Sequence, residues 1–241
     1  MPEKKVSEAI GFRRSVRVFD TDKEIDSQIV KKCVEQGVLA PNSSNLQLWE
    51  FYHITSQEII KQIAVACFNQ PAAKTAKQFV IPVARKDLWE KRIASNVAFI
   101  ESEFEKSKKK DIEKTKGAIS YYQKILPKIY GMGSLRGLIN HFSTYIKGIK
   151  KVVYRQVKKS DIRIVVHKST ALAAQNFVVS MAGYGYDTCT MEGFDSLKIK
   201  KIVGLPSSAE ISMVIGCGIR TKKGIYGPRF RVPLDEVYFE K

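Results

Sequence analysis

The sequence predicts an α+β fold with a helical insertion, and three observations carry that reading. Short apolar runs read as strands at residues 49–54, 79–84 and 210–217. Segments with apolar residues at helical spacing lie between them. A longer stretch, residues 87–160, reads as mainly helical. With 241 residues, 44% of them hydrophobic, the chain can bury a substantial core. No internal repeat or low-complexity linker divides it. The expected organisation is one domain over residues 1–241, with a basic helical insertion at about 87–160.

Taken in order, residues 3–12 form a short helix that leads into Arg13-Arg14-Ser15-Val16-Arg17. Asp26 is placed to cap a second helix, whose apolar positions are Ile29, Val30, Cys33, Val34 and Val38 and which ends near Ala40-Pro41. Asn42-Ser43-Ser44-Asn45 is a loop by composition, and a strand follows from Trp49 to Ile54. Ser56 is placed to cap a helix through Ile59, Ile60, Ile63 and Val65. The run at 79–84 contains Pro82, which predicts an edge strand or a strand end.

Within the insertion, breaks fall at Pro127 and at Gly131-Met132-Gly133. Leu135, Leu138, Ile139, Phe142, Ile146, Ile149 and Val153 follow a helical stripe, with lysines on the opposite face. Ser169 or Thr170 is expected to start an apolar helix over 171–182. A turn, a short helix at 197–203, a strand at 210–217 and an extended tail at 229–239 complete the chain.

Composition removes several classes of function. Cys33, Cys67, Cys189 and Cys217 are far apart and form no Cys-x-x-Cys pair, and His53, His141 and His167 are scattered. Metal catalysis is therefore disfavoured, and no metal ligand is assigned. No run of 18 apolar residues occurs, and the N-terminal residues lack the apolar core of a signal peptide, so a cytoplasmic location is expected. The net charge of +17 favours anionic partners. Much of it is regional: residues 114–159 hold eleven Lys and Arg and no acidic residue.

Four segments carry candidate chemistry. The first is the cluster of Arg13, Arg14, Ser15 and Arg17, whose guanidinium forks and hydroxyl fit phosphate oxygens. The second is Ala40-Pro41-Asn42-Ser43-Ser44-Asn45-Leu46-Gln47, dense in amides and hydroxyls next to Trp49. In the third, Met191-Glu192-Gly193-Phe194-Asp195, a glycine permits close backbone approach to a flat ligand. The fourth, Gly227-Pro228-Arg229-Phe230-Arg231, places two arginines two apart; on an extended segment both point to one side, as one anion requires. Each alone also fits an ordinary solvated turn.

Together and in this order, with the helix carrying Ala173-Ala174-Gln175-Asn176-Phe177, these segments resemble the nitroreductase family of FMN-dependent oxidoreductases. The resemblance covers almost everything except residues 87–160. It implies a three-layer fold, with a central mixed or antiparallel sheet flanked by helices, in an intertwined homodimer with two FMN sites at the interface. It implies that Arg13, Ser15 and Arg17 bind the FMN phosphate and ribityl chain, with Arg14 adding contacts and Arg229 and Arg231 closing on the same phosphate. Pro41, Asn42, Ser43 and Asn45 would reach the flavin from the other subunit, with Gln47 close behind. Glu192 and Gly193 would line the ring, and Asn69 would face its pyrimidine edge.

The implied activity needs no side-chain nucleophile, because the cofactor carries the hydride chemistry. NADH or NADPH would be the reductant, and a nitroaromatic or a quinone the acceptor. No Gly-x-Gly-x-x-G unit follows a strand, so no separate nicotinamide domain is expected. Leu48 stands where many relatives have proline, which would loosen the loop. Two alternatives stay open. One keeps fold and FMN but changes the reaction to dehalogenation or desaturation. The other is a flavoprotein that takes electrons from a protein donor and uses its basic stripe on an anionic surface; no nucleic-acid partner is expected.

Overall fold

The structure is a computed structural model and describes residues 3–108, 111–131, 144 and 146–241. At its centre is β2 (Gln78–Ala84), with all seven residues buried. Antiparallel pairing joins it to β1 (Trp49–Ile54) on one side. On the other side it pairs with β5 (Val214–Gly218), and beyond that strand lies β3 (Asp187–Met191). The sheet order is β1-β2-β5-β3, and the two-residue β4 (Glu210–Ile211) also pairs with β2. Among the described residues, the one parallel feature is an isolated bridge between Ser15 and Thr188.

Side-chain alternation along β2 builds the three layers. Phe79, Ile81 and Val83 face a core shared with α3 (Gln57–Ala66), α4 (Pro71–Thr75) and α9 (Ser196–Ile202). Val80 faces the opposite core, formed with α2 (Ser27–Gly37) and α8 (Lys159–Gly183). There α2 and α8 pack so closely that a Cβ on Gly37 would lie 3.0 Å from the Ala173 carbonyl oxygen. A third core joins α5 (Trp89–Lys106), α6 (Ile112–Ser120) and α7 (Leu126–Tyr130) to Leu46, Leu48, Ala84, Ile162 and Val166. No helix among the described residues is long and apolar enough to cross a membrane. None of them form a group of side chains that could hold a metal.

Three sequence expectations need correction. Pro82 lies in the central strand, not at an edge or strand end. Pairing with β5 ends at Val80, pairing with β4 begins at Val83, and the Pro82 carbonyl accepts from Ser212 N (2.9 Å). Its carbonyl and missing N–H thus face the gap between β4 and β5, where no ladder bond is lost. Ser169 and Thr170 do not start a helix; they are buried inside α8, which begins ten residues before Ser169. The Thr170 hydroxyl donates to the Val166 carbonyl one turn back (2.9 Å), so its polar group is satisfied within the helix. The expected strand at 210–217 is two strands, separated at Ser212-Met213.

Asp187, at the start of β3, is 3% exposed and anchors the N-terminal segment through Arg220. Its carboxylate accepts from Arg220 N and Nε, both at 2.8 Å, and from Nη2. The same guanidinium donates to the Phe12 carbonyl (3.2 Å) and stacks on the Phe12 ring. α1 (Val6–Phe12) is thereby fixed just ahead of the arginine cluster. Asp187→Ala leaves Arg220 without its partner, and we expect a loss of about 3 kcal/mol in urea-monitored unfolding. All four cysteines are buried and free, and burial pushes the Cys33 and Cys67 thiols up to about 12. Thiolate is the reacting form, so a colorimetric thiol titration of native protein near neutral pH should find none reactive, and all four after denaturation.

Candidate functional site

Alternation builds the arginine cleft from a buried anchor. Val16 is fully buried and its N–H donates to the Thr188 carbonyl of β3 (3.2 Å). Its neighbours Ser15 and Arg17 therefore project away from the core. Arg17 N donates to Gly224 O (2.7 Å) and Phe19 N to Thr75 Oγ1 (2.9 Å), which holds the segment on both sides. The C-terminal segment returns over it. Arg14 Nη2 donates to the Gly227 carbonyl, and Arg229 Nη2 to the carbonyls of Gly11 (2.9 Å) and Arg13.

The result is a cleft of about 200 Å³ lined by Arg13, Arg14, Ser15, Arg17, Arg229 and Arg231 and by residues 225–228 and 230. Five guanidinium groups line it and no carboxylate does. Burial, followed by the charges of Arg229, Arg231 and Arg14, holds the Arg13 guanidinium below its ordinary pKa. The positive charges are thus forced together without internal compensation, and an anion in the cleft relieves that repulsion. All six residues expected from sequence to share a phosphate are brought to this one place.

Backbone strain marks two further loops. Among the described residues, the non-glycine positions with positive φ are Ser44 (53°), Asn45 (51°), Gln47 (47°), Phe68 (57°) and Asn69 (52°). Left-handed backbone costs a non-glycine residue on the order of 1–3 kcal/mol, least for Asn, and persists where its surroundings hold it. In the first loop, Leu46 and Leu48 are buried in the third core. Asn42 Oδ1 accepts from Gln47 N (2.8 Å), and Ser43 N donates to Ser169 Oγ (3.4 Å). Leu48, which stands where many relatives have proline, packs into this core and ties the end of the loop to it.

In the second loop, Asn69 N donates to the Ala64 carbonyl (3.0 Å) as the chain leaves α3. Gln70 Nε2 donates to the Gly193 carbonyl (2.7 Å), and Asp195 N to the Ala66 carbonyl (2.8 Å). These bonds join the Asn69 loop to the Glu192-Gly193 turn. A Cβ on Gly193 would lie 3.1 Å from Gln70 Nε2, so the amide packs tightly against the bare backbone there.

The remaining expected residues do not meet in one cavity of a single chain. Asn69 lines a cleft with Lys61, Lys74 and Lys77, and Glu192 lines another with Arg163, His167 and Ser212. Residues 41–47 bond to Ser169, Asn96, Tyr121 and Tyr122; among the described residues they make no hydrogen bond to the arginine cleft. Of the expected apolar stripe, Leu135, Leu138, Ile139 and Phe142 lie outside the described residues, and Ile146 and Ile149 are exposed. Sequence reasoning missed Gln70, although it is an amide next to Asn69. It also missed Asn96, Tyr121 and Tyr122, whose contacts span dozens of residues and leave no local signature.

The chain matches the sequence profile of the Nitroreductase family over residues 10–219. Protein DrgA of Synechocystis sp. is 26% identical over 215 residues, spanning 89% of this chain and 84% of that protein. An oxygen-insensitive NADPH nitroreductase of Helicobacter pylori is 22% identical over 204 residues, spanning 84% of this chain and 81% of its own length. Among solved structures, a nitroreductase candidate from Exiguobacterium sibiricum in complex with FMN has the same fold. Its TM-score is 0.68 at 21% identity, with 100% of this chain and 99% of that one covered. A nitroreductase family protein of Streptococcus pneumoniae superimposes equally well, with a TM-score of 0.68 at 20% identity over 98% of this chain and 100% of that one. With the profile matching residues 10–219, most of its length, this chain belongs to the Nitroreductase family.

Proposed function

We propose that the protein is an FMN-dependent NAD(P)H oxidoreductase acting on a small oxidised acceptor such as a nitroaromatic or a quinone. The observation that carries this reading is the cleft of five arginines and Ser15 with no carboxylate, a donor set suited to a phosphate monoester. FMN, when bound, supplies the two-electron chemistry between nicotinamide and acceptor. Arg13, Arg14, Ser15, Arg17, Arg229 and Arg231 hold its phosphate end. Arg14 and Arg229 also bond backbone carbonyls, so part of their donor capacity orients the cleft itself.

β3 links this cleft to the expected ring site. Its Thr188 pairs with Ser15, and Glu192 follows directly after its last residue, Met191. At strand rise that separation is about 13 Å, room for the polyol chain between a phosphate and a ring system. The Gly193 backbone and the Asn69 loop lie together there through Gln70 and are assigned to the flavin edge. Glu192 lines the ring from the same turn.

A homodimer completes the proposal. Tyr226, Phe230, Leu234, Val237 and Phe239 of the C-terminal arm are all exposed, an apolar surface that a second copy would cover. The same arrangement brings Pro41, Asn42, Ser43, Asn45 and Gln47 to the neighbouring subunit's flavin. In this reading residues 1–241 form one domain in the cytoplasm, and the insertion at 87–160 covers the acceptor.

The purified protein is expected to be yellow or to take up added FMN, and anaerobic NADH or NADPH should bleach the flavin band. A colourless protein that binds no FMN overturns the proposal, and absence of bleaching by either nucleotide overturns its donor half. Arg13→Ala should weaken FMN binding about 10- to 100-fold, as expected for losing one or more charge-assisted contacts to phosphate. The same change relieves repulsion, so the melting midpoint of the FMN-free protein should not fall.

A further inference from the structure

Ser44 and Asn45, consecutive left-handed residues of the first strained loop, are both gripped by the insertion. Asn96 of α5 is 9% exposed, and each of its polar atoms is used twice. Its Nδ2 donates to the carbonyls of Asn45 (3.0 Å) and Arg92 (2.9 Å). Its Oδ1 accepts from Asn45 Nδ2 (3.0 Å) and from the Tyr122 hydroxyl (3.2 Å). The Tyr122 hydroxyl also faces the Ser44 carbonyl oxygen at 2.9 Å, so its single proton is shared between two acceptors. The Tyr121 hydroxyl lies 2.7 Å from Ser44 Oγ.

Consecutive side chains on an α-helix diverge by about 100° and do not face one target. Tyr121 and Tyr122 nevertheless both reach Ser44, from the start of a π-helical turn, residues Tyr121–Ile125, between α6 and α7. Such wide turns are rare and recur at functional sites. Their rings meet edge to face with centroids 5.6 Å apart, which sets one against the other. Nothing in packing alone requires these hydroxyls: Leu46 and Leu48 already anchor the loop in the apolar core. The polar grip acts instead on the two residues whose backbone is strained.

We propose that Asn96, Tyr121 and Tyr122 are positioning residues that hold residues 42–47 in the conformation that meets the flavin. The insertion then acts on the cofactor of the neighbouring subunit through this loop and without touching it. This rests on the FMN reading above and deepens it, because it makes the insertion part of the cofactor site as well as a cover for the acceptor. The loop meets the ring end of the cofactor, whereas the arginines meet its phosphate. The two contributions therefore separate when FMN is compared with riboflavin, which has the ring and no phosphate.

The test titrates FMN and riboflavin into wild type, Tyr122→Phe and Tyr121→Phe, following flavin fluorescence and the visible circular dichroism of the bound ring. Both variants remove one oxygen and keep the aromatic packing, so they are expected to fold. Tyr122→Phe should weaken FMN and riboflavin by the same factor, about 3- to 10-fold for one lost hydrogen bond, and should alter the dichroism of the bound ring. Tyr121→Phe should do the same to a smaller extent, because its partner is a side chain on the loop surface. If both variants keep wild-type affinities and wild-type dichroism while wild type binds FMN, the positioning role is wrong and the FMN reading stands. If wild type itself binds no FMN, the reading beneath it fails, and this inference fails with it.

Discussion

Like charges at close quarters are the constraint around which this molecule is organised. Two segments more than 200 residues apart bring five guanidinium groups into one cleft that no carboxylate lines. Two such charges 4 Å apart repel by roughly 4 kcal/mol at the effective dielectric of a protein surface. The fold holds them there by means that do not neutralise them. Backbone carbonyls of Gly11, Arg13 and Gly227 accept from Arg229 and Arg14, and the buried Val16 fixes the strand that carries Ser15 and Arg17. Behind this, Asp187 and Arg220 hold the end of α1 in place. In the proposed role, the part of the cleft that these bonds hold would spare a bound phosphate some of the cost of ordering its ligands.

A second, smaller tension lies in the two loops of left-handed residues. Their strain is sustained by different means. Residues 44–47 are anchored by the buried Leu46 and Leu48 and held by Asn96, Tyr121 and Tyr122 of the helical segment that packs on them. Phe68 and Asn69 are held by the turn that closes α3 and, through Gln70, by the Gly193 carbonyl. Both loops contain residues assigned to the flavin. Charge compression at one end of the proposed site and backbone strain at the other are two forms of the same preorganisation.

What the sequence made legible follows the range of the forces involved. The strand Trp49–Ile54 and the cap at Asp26 were readable because alternation and capping act within a few residues. The arginine cluster was readable because its donors are contiguous, and its distant half because Arg229 and Arg231 repeat the chemistry. Pro82 misled because its tolerance depends on a gap between two other strands, which no local pattern encodes. Thr170 misled because a hydroxyl that caps a helix in one setting bonds back to the preceding turn in another. The grip of Asn96 and Tyr122 on the loop spans 51 and 78 residues, so it was visible only in three dimensions.

The central claim is that the arginine cleft exists to bind the phosphate of FMN. The most direct measurement compares the affinity of the protein for FMN with that for riboflavin at one ionic strength. FMN should bind at least about 100-fold more tightly, as two or more charge-assisted bonds to phosphate require. Added inorganic phosphate should erode that advantage. Equal affinity for the two flavins would contradict the account, because five convergent guanidinium groups would then contribute nothing to holding the cofactor.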